Sequence, residues 1–247
     1  MKSTSTIGAA AAACCLAACG GGGGDSATSP ATSGTTTYAF VTPTVGARDT
    51  FTTTTVDDSN NTITGGYEET VASVASDGSY TLSQVDPSGA SVTVNGLLYR
   101  FDPRVTSFDA SGHEMAIEIT RPTGVVDCTL ATQAGGHVVP WYVGQAWTQS
   151  LTESCSPGAS IAYALVGQVT SYESVTVPAG TFMALKVVST QTWTDPTGQT
   201  VVETITHWAD PAHSLFTLKT IYSLARSGTV PAHYTVSETI ELASRGQ

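Results

Sequence analysis

Missing from this chain is any apolar run near the ~20 residues that a membrane-spanning helix requires, which excludes a helical integral membrane protein. Basic residues are scarce: nine Lys+Arg stand against 20 Asp+Glu, a formal charge of -11. That field repels phosphates, so nucleic acid is excluded as a partner. Charged residues make up only 12% of the 247, and no Cys-x-x-Cys pair, Gly-x-Ser-x-Gly elbow, phosphate loop or dinucleotide fingerprint occurs. Each of those patterns carries a mechanism (thiol exchange, nucleophile presentation, phosphate cradling), and their absence removes the commonest enzymatic readings. No segment shows a convincing helical period. What is plentiful is Thr, Ser, Val and Gly, with 40% hydrophobic residues overall, enough for the core of one globular domain.

The first residues form an export signal: Lys2 gives a positive start, Ile7–Ala18 a short Ala-rich apolar stretch, and Leu16-Ala17-Ala18-Cys19 follows at once. These four residues resemble the lipobox of bacterial lipoproteins. The resemblance implies that residues 1–18 are a signal peptide, that Cys19 becomes the acylated first residue, and that Cys14 and Cys15 leave with the leader. Two or more acyl chains make a durable anchor where one does not. Gly20 stands where an Asp would imply retention at the inner membrane, so the resemblance implies the outer membrane of the bacterial envelope. Residues 19–37 then contain no large apolar side chain and read as a flexible tether. A Gly/Ser-type chain of that length averages roughly 20–25 Å end to end. The remaining residues, 38–247, are expected to form a single domain.

That domain reads as all-β. Met115, Ile117 and Ile119 alternate with Glu114, Glu118 and Thr120; Phe216, Leu218, Tyr222 and Leu224 alternate with Thr217, Lys219 and Ser223. Val230, Ala232, Tyr234, Val236, Ile240 and Leu242 share one face of a final strand, a period of two that no helix gives. Turn signals recur between such runs, among them Asp77-Gly78, Asp86-Pro87-Ser88-Gly89, Asp109-Ala110-Ser111-Gly112, Pro178-Ala179-Gly180 and Asp195-Pro196-Thr197-Gly198. Strands are expected at 47–57, 62–75, 79–85, 91–101, 104–110, 113–120, 146–153, 161–177, 181–194, 199–209, 215–226 and 230–242, with an irregular stretch from Arg121 to Val143. An antiparallel meander of this length implies a strongly curved sheet, half-barrel or barrel, forms that manage exposed edges. The shared Asp-Pro-Ser/Thr-Gly loops suggest a duplication about residues 121–143.

Cys128 and Cys155 remain once the leader and the anchor are accounted for, and an even pair outside the cytoplasm predicts a disulfide. Tyr172–Val187, with Val175-Thr176-Val177-Pro178-Ala179-Gly180-Thr181-Phe182 at its centre, resembles a V-x-V-P-A-G-x-F signature of uncharacterised bacterial envelope proteins and lipoproteins. Val143-Gly144-Gln145-Ala146-Trp147 and Trp208 with Leu215-Phe216 are similar to segments that accompany it. Some such proteins are similar to the half-barrels of Lol-type lipoprotein carriers, which implies a curved sheet able to hold acyl chains. The resemblance brings no catalytic residues.

The nearest approach to a metal set is His207, Asp210 and His213, but zinc wants three or four converging ligands and Asp210-Pro211 makes a turn between the histidines, so no metal or cofactor is expected. His113-Glu114 lacks the second histidine of a zinc-protease helix. Asp57-Asp58 and Glu68-Glu69 point to opposite faces of their strands and read as solvated. Trp141, Trp147, Trp193 and Trp208 read as core. The expectation is a lipid-anchored, non-enzymatic β domain of the envelope, a structural or interaction module that meets the membrane through acylated Cys19 and whose further partner, an envelope protein or an apolar ligand, the sequence does not name. The alternative is a carrier of lipid or another apolar ligand, which requires an apolar cavity of several hundred Å3.

Overall fold

The structure is a computed structural model that describes residues 35–89, 91–94, 97–135, 139–195, 198–213, 216–227 and 234–246. The residues expected to form the signal peptide, Cys19 and nearly all of the expected tether lie outside the described residues, as do Leu215, Val230 and Ala232. The strands are β1 (Arg48–Asp57), β2 (Thr62–Val74), β3 (Tyr80–Val85), β4 (Ser91–Val94), β5 (Leu97–Arg100), β6 (Arg104–Phe108), β7 (Glu114–Arg121), β8 (Gly124–Gly135), β9 (Ala146–Cys155), β10 (Ala159–Val177), β11 (Gly180–Thr194), β12 (Thr200–Asp210), β13 (Phe216–Arg226) and β14 (Thr235–Arg245).

Twelve of them close into one barrel in the order β1-β14-β13-β12-β11-β10-β9-β8-β7-β6-β3-β2, every pairing antiparallel. The closed barrel, rather than an open sheet or half-barrel, is therefore the realised form, and among the described residues there is no helix. β4 and β5 pair only with each other, a hairpin appended between β3 and β6. The single strand expected at 91–101 is thus two. A larger correction concerns 121–143: most of that stretch is β8, paired with both β7 and β9.

Alternation explains the wall. Leu165, Leu185, Leu218, Leu242, Val71, Val169 and Val201 are fully buried, and truncating a leucine of this kind costs about 2–5 kcal/mol. The out-of-phase positions carry Thr52, Glu118, Ser150, Thr190, Thr204 and similar residues, a water-facing wall instead of the apolar band of a membrane-spanning barrel. One expected phase is reversed: a bulge at Met115, between the Ser107–Ala116 and Phe108–Glu114 pairs, exposes Met115 and buries Glu114.

Two glycines make room for aromatic rings. Gly167 faces Trp147 across β9 and β10, and a Cβ there would lie 2.2 Å from the indole. Gly112, at φ +83°, supplies the left-handed turn residue between β6 and β7 and leaves space for Phe40.

Cys128 and Cys155 stand opposite each other in β8 and β9 and are joined by a disulfide across a separation of 27 residues. The bond staples two strands already paired; it does not tie an irregular loop to a sheet. The Asp86–Gly89 turn leads into the appended hairpin, whereas Asp195 and Gly198 bracket the β11–β12 connection, so the two loops with a shared motif occupy unlike places.

One mouth of the barrel is covered. Residues 38–47 cross it as a strap: Tyr38 and Trp141 exchange backbone hydrogen bonds of 2.8 Å, the Phe40 ring stacks on Tyr80, and Gly46 N–H donates to Val71 O. The long β10–β11 hairpin closes the same mouth. At a bulge between Val169 and Ser171 its buried side changes, from Leu185, Val187 and Ser189 to Ala184, Val175 and Val177. Its tip reaches across β12 and β13 to β14, where Ala179 N–H donates to Leu242 O at 3.1 Å and the Arg245 guanidinium lies over Phe182.

Candidate functional site

Beneath the strap the barrel holds a cavity of about 130 Å3 lined by Phe40, Tyr67, Tyr80, Phe108, Trp141, Trp147, Phe216 and Tyr222 with Glu69, Gln84, His207 and Thr220 among them. Each polar group arrives there because it is in phase with the apolar face of its strand: Glu69 lies two residues from Tyr67 and Val71 on β2, His207 two from Ile205 on β12. The same phase carries Glu203, between Val201 and Ile205, and Glu238, two before Ile240, to the inner wall.

The inner wall is therefore a core with carboxylates set into it. Burial pushes Glu69 up to about 7, against the pull of the Gln84 amide that donates to it at 2.5 Å. Burial likewise pushes Glu203 up to about 7, although Gln191 donates to it. Glu238 is raised by the same cause, moderated by Arg104, whose guanidinium sits over the Phe101 ring. His207 moves the other way, down to about 4, because burial disfavours the imidazolium. At neutral pH His207 is thus an uncharged imidazole sharing a 3.1 Å hydrogen bond between Nδ1 and Thr220 Oγ1.

The three metal candidates do not converge. His207 faces the cavity, whereas Asp210 and His213 belong to a network at the capped mouth. There Asp210 Oδ2 accepts from Arg245 and from His213 Nδ1, each at 2.8 Å, and Arg245 Nε lies 3.6 Å from Asp49. Hydrogen bonds from Arg245, the Ala212 N–H and His213 outweigh burial and hold Asp210 below the usual carboxylate range. Among the described residues the one close trio of metal-capable side chains is Cys128, Glu153 and Cys155, and its sulfurs are spent in the disulfide.

Adjacent carboxylates do point to opposite faces, but only half of each pair is solvated. Glu68 pairs with Arg48 on the outer wall while Glu69 enters the lumen. Asp57 is buried and caps its own turn, accepting from Ser59 N–H at 2.9 Å and Asn61 N–H at 2.8 Å. Trp141, Trp147 and Trp208 are core residues, and Trp208 Nε1 donates to Glu173 at 3.0 Å. The luminal Glu69, Glu203 and Glu238 were legible in the sequence only as polar breaks in otherwise apolar alternation.

No protein-family model and no curated protein matches the chain. Among solved structures, a Bacteroides fragilis protein described as exported, with a YmcC-like fold, superposes with a TM-score of 0.48 at 13% identity, covering 85% of this chain and 100% of that one. The hypothetical lipoprotein YmcC from Escherichia coli superposes with a TM-score of 0.41 at 9% identity, covering 80% of this chain and 85% of the other.

Proposed function

We infer that the chain is anchored through acylated Cys19 to the bacterial envelope, at the outer membrane, and acts there as a non-enzymatic interaction module whose water-facing wall meets an envelope protein. The observation that carries this reading is the charged lining of the space under the strap. The luminal cavity of about 130 Å3 has Glu69 and His207 among its apolar residues, and a second space of about 230 Å3, which shares Glu69, Leu82 and Phe216 with it, is lined by Arg48, Asp49, His213 and Arg245. An acyl chain there would lie against carboxylates and guanidinium groups, which favours the barrel's exterior over a lipid carrier. The lipobox-like Leu16-Ala17-Ala18-Cys19 and the absence of a nucleophile motif support the rest.

Native mass spectrometry of the mature protein, purified from envelopes in mild detergent, tests it. The expected mass is the chain from Cys19 plus its acyl groups, alone or with a protein partner, and with no further lipid or metal. A stoichiometric additional lipid would restore the carrier, and a stoichiometric metal lost on His207→Ala would overturn the non-enzymatic reading.

A further inference from the structure

Among the described residues the exposed large apolar side chains are unevenly placed: Met115 on β7 and Val166 on β10 stand apart, and six others gather. Val41 and Val45 on the strap, Tyr142 and Val143 beside Trp141, and Tyr172 and Met183 on the β10–β11 hairpin all belong to the capped mouth, each 39% to 59% exposed. They are joined on the surface: the Tyr38 ring lies 5.2 Å from that of Tyr172, and Tyr38 is bonded to Trp141, the neighbour of Tyr142. The Ser174–Met183 register puts Met183 on the hairpin face that also carries Tyr172. Of the charges at this mouth, Arg48 pairs with Glu68 and Arg245 with Asp210, while Asp77 stands exposed in the β2–β3 turn. Among the described residues the opposite mouth shows Val85, Val92 and Val125, set among the ions Arg100–Asp102–Arg121 and Arg226–Asp195.

The chain that precedes the barrel reaches it at this same apolar mouth, where Tyr38 is held. Thr35 lies sixteen residue steps after Cys19. Such a length spans at most about 55 Å extended and averages about 20–25 Å as a coil. An anchor at Cys19 therefore holds the capped mouth, and not the opposite one, close to the bilayer, at an effective concentration high enough for weak contacts to persist. Tyrosine is also suited to that boundary, with an apolar ring and a hydroxyl that stays wet.

We propose that the capped mouth is a membrane-docking face, whose valines, tyrosines and Met183 enter the headgroup region of the bilayer that carries the anchor. The proposal rests on the lipid-anchor reading. Full-length protein is produced as Met183→Cys or Val92→Cys, labelled with a nitroxide and reconstituted into phosphatidylcholine/phosphatidylethanolamine vesicles. The native cysteines are acylated, removed or in the disulfide, so the introduced thiol is the one that reacts.

Docking gives several-fold lower collision with an aqueous nickel chelate, relative to oxygen, at residue 183 than at residue 92. Adding Val143→Asp and Tyr172→Asp raises the value at 183 to that at 92 without changing flotation. Equal nickel access at both positions in vesicles that carry the protein to the top of a gradient overturns docking and leaves the anchor standing. Protein that stays at the bottom overturns the anchor, and docking with it.

Discussion

Replacing Gly167 by alanine tests how tightly the lumen is packed around Trp147. The added Cβ would lie 2.2 Å from Cζ2, 2.3 Å from Cε2 and 2.7 Å from Nε1 of the indole. Ordinary carbon contacts are about 3.5–4.0 Å, so the ring must retreat by about 1.5 Å. Trp147 is buried in a cluster with Trp141, Leu165, Val169, Leu185 and Val187, and its free direction is the neighbouring cavity. Overpacking of this kind costs about 1–3 kcal/mol, from which the conformational restriction of the unfolded chain returns about 0.4–1 kcal/mol. A net loss of about 1–2 kcal/mol is expected in urea denaturation followed by far-ultraviolet circular dichroism. In a Trp147→Ala background the clash has no partner, so the same substitution should be neutral or stabilising, and the coupling should approach 2 kcal/mol. Equal loss in both backgrounds, or no loss in either, refutes the packing argument.

Replacing Cys128 and Cys155 together by serine removes a cross-link spanning 27 residues and should lower stability by roughly 3–4 kcal/mol in the chain-entropy model, read as a fall in the urea midpoint. Glu203 titrates near 7 folded and near 4.5 unfolded, so the folded state binds the extra proton between those values and stability falls as pH rises from about 4.5 to 7. Glu203→Gln should flatten that slope and stabilise the protein at pH 8 by on the order of 2–3 kcal/mol, checked by denaturation across pH. His207, held neutral to about 4, contributes the opposite slope: stability is lost as pH falls from 6.5 toward 4, and His207→Asn should remove that part of the profile.

Most of the barrel wall was legible as alternation. β2, β12 and β13 appear where Val, Ile, Tyr and Thr alternate between turn residues, because a half-buried strand of a closed barrel needs an apolar residue at every second position. β8 was hidden because its Cys, Ala, Thr and Gly are weak markers of strand, although Val126, Cys128 and Leu130 keep the period. The split of 91–101 carried a signal in Asn95-Gly96, a strong short hairpin dipeptide that sits inside the run expected to be one strand. Closure was not written in any single strand. It follows from pairing between Asp49 and Arg245, near the two ends of the domain, and local pattern carries no information about partners so far apart. The luminal glutamates escaped notice for a related reason: a carboxylate in phase with apolar neighbours resembles noise until the sheet curves and gives that face an inside.

The seam between β1 and β14 also has a consequence for how the molecule comes into being. All but one of the other barrel junctions are hairpins of sequence neighbours, and the appended β4–β5 unit interrupts only the β3–β6 step. The wall can thus grow strand by strand as the chain is delivered from its amino end, each addition paying a small loop-closure entropy. The seam is different in kind: β1 is available first and must wait, with one bare edge, until the last strand has arrived. Assembly of this barrel therefore has its slow and aggregation-exposed interval at the end, when eleven strands stand as an open curved sheet with the edge of β1 unpaired.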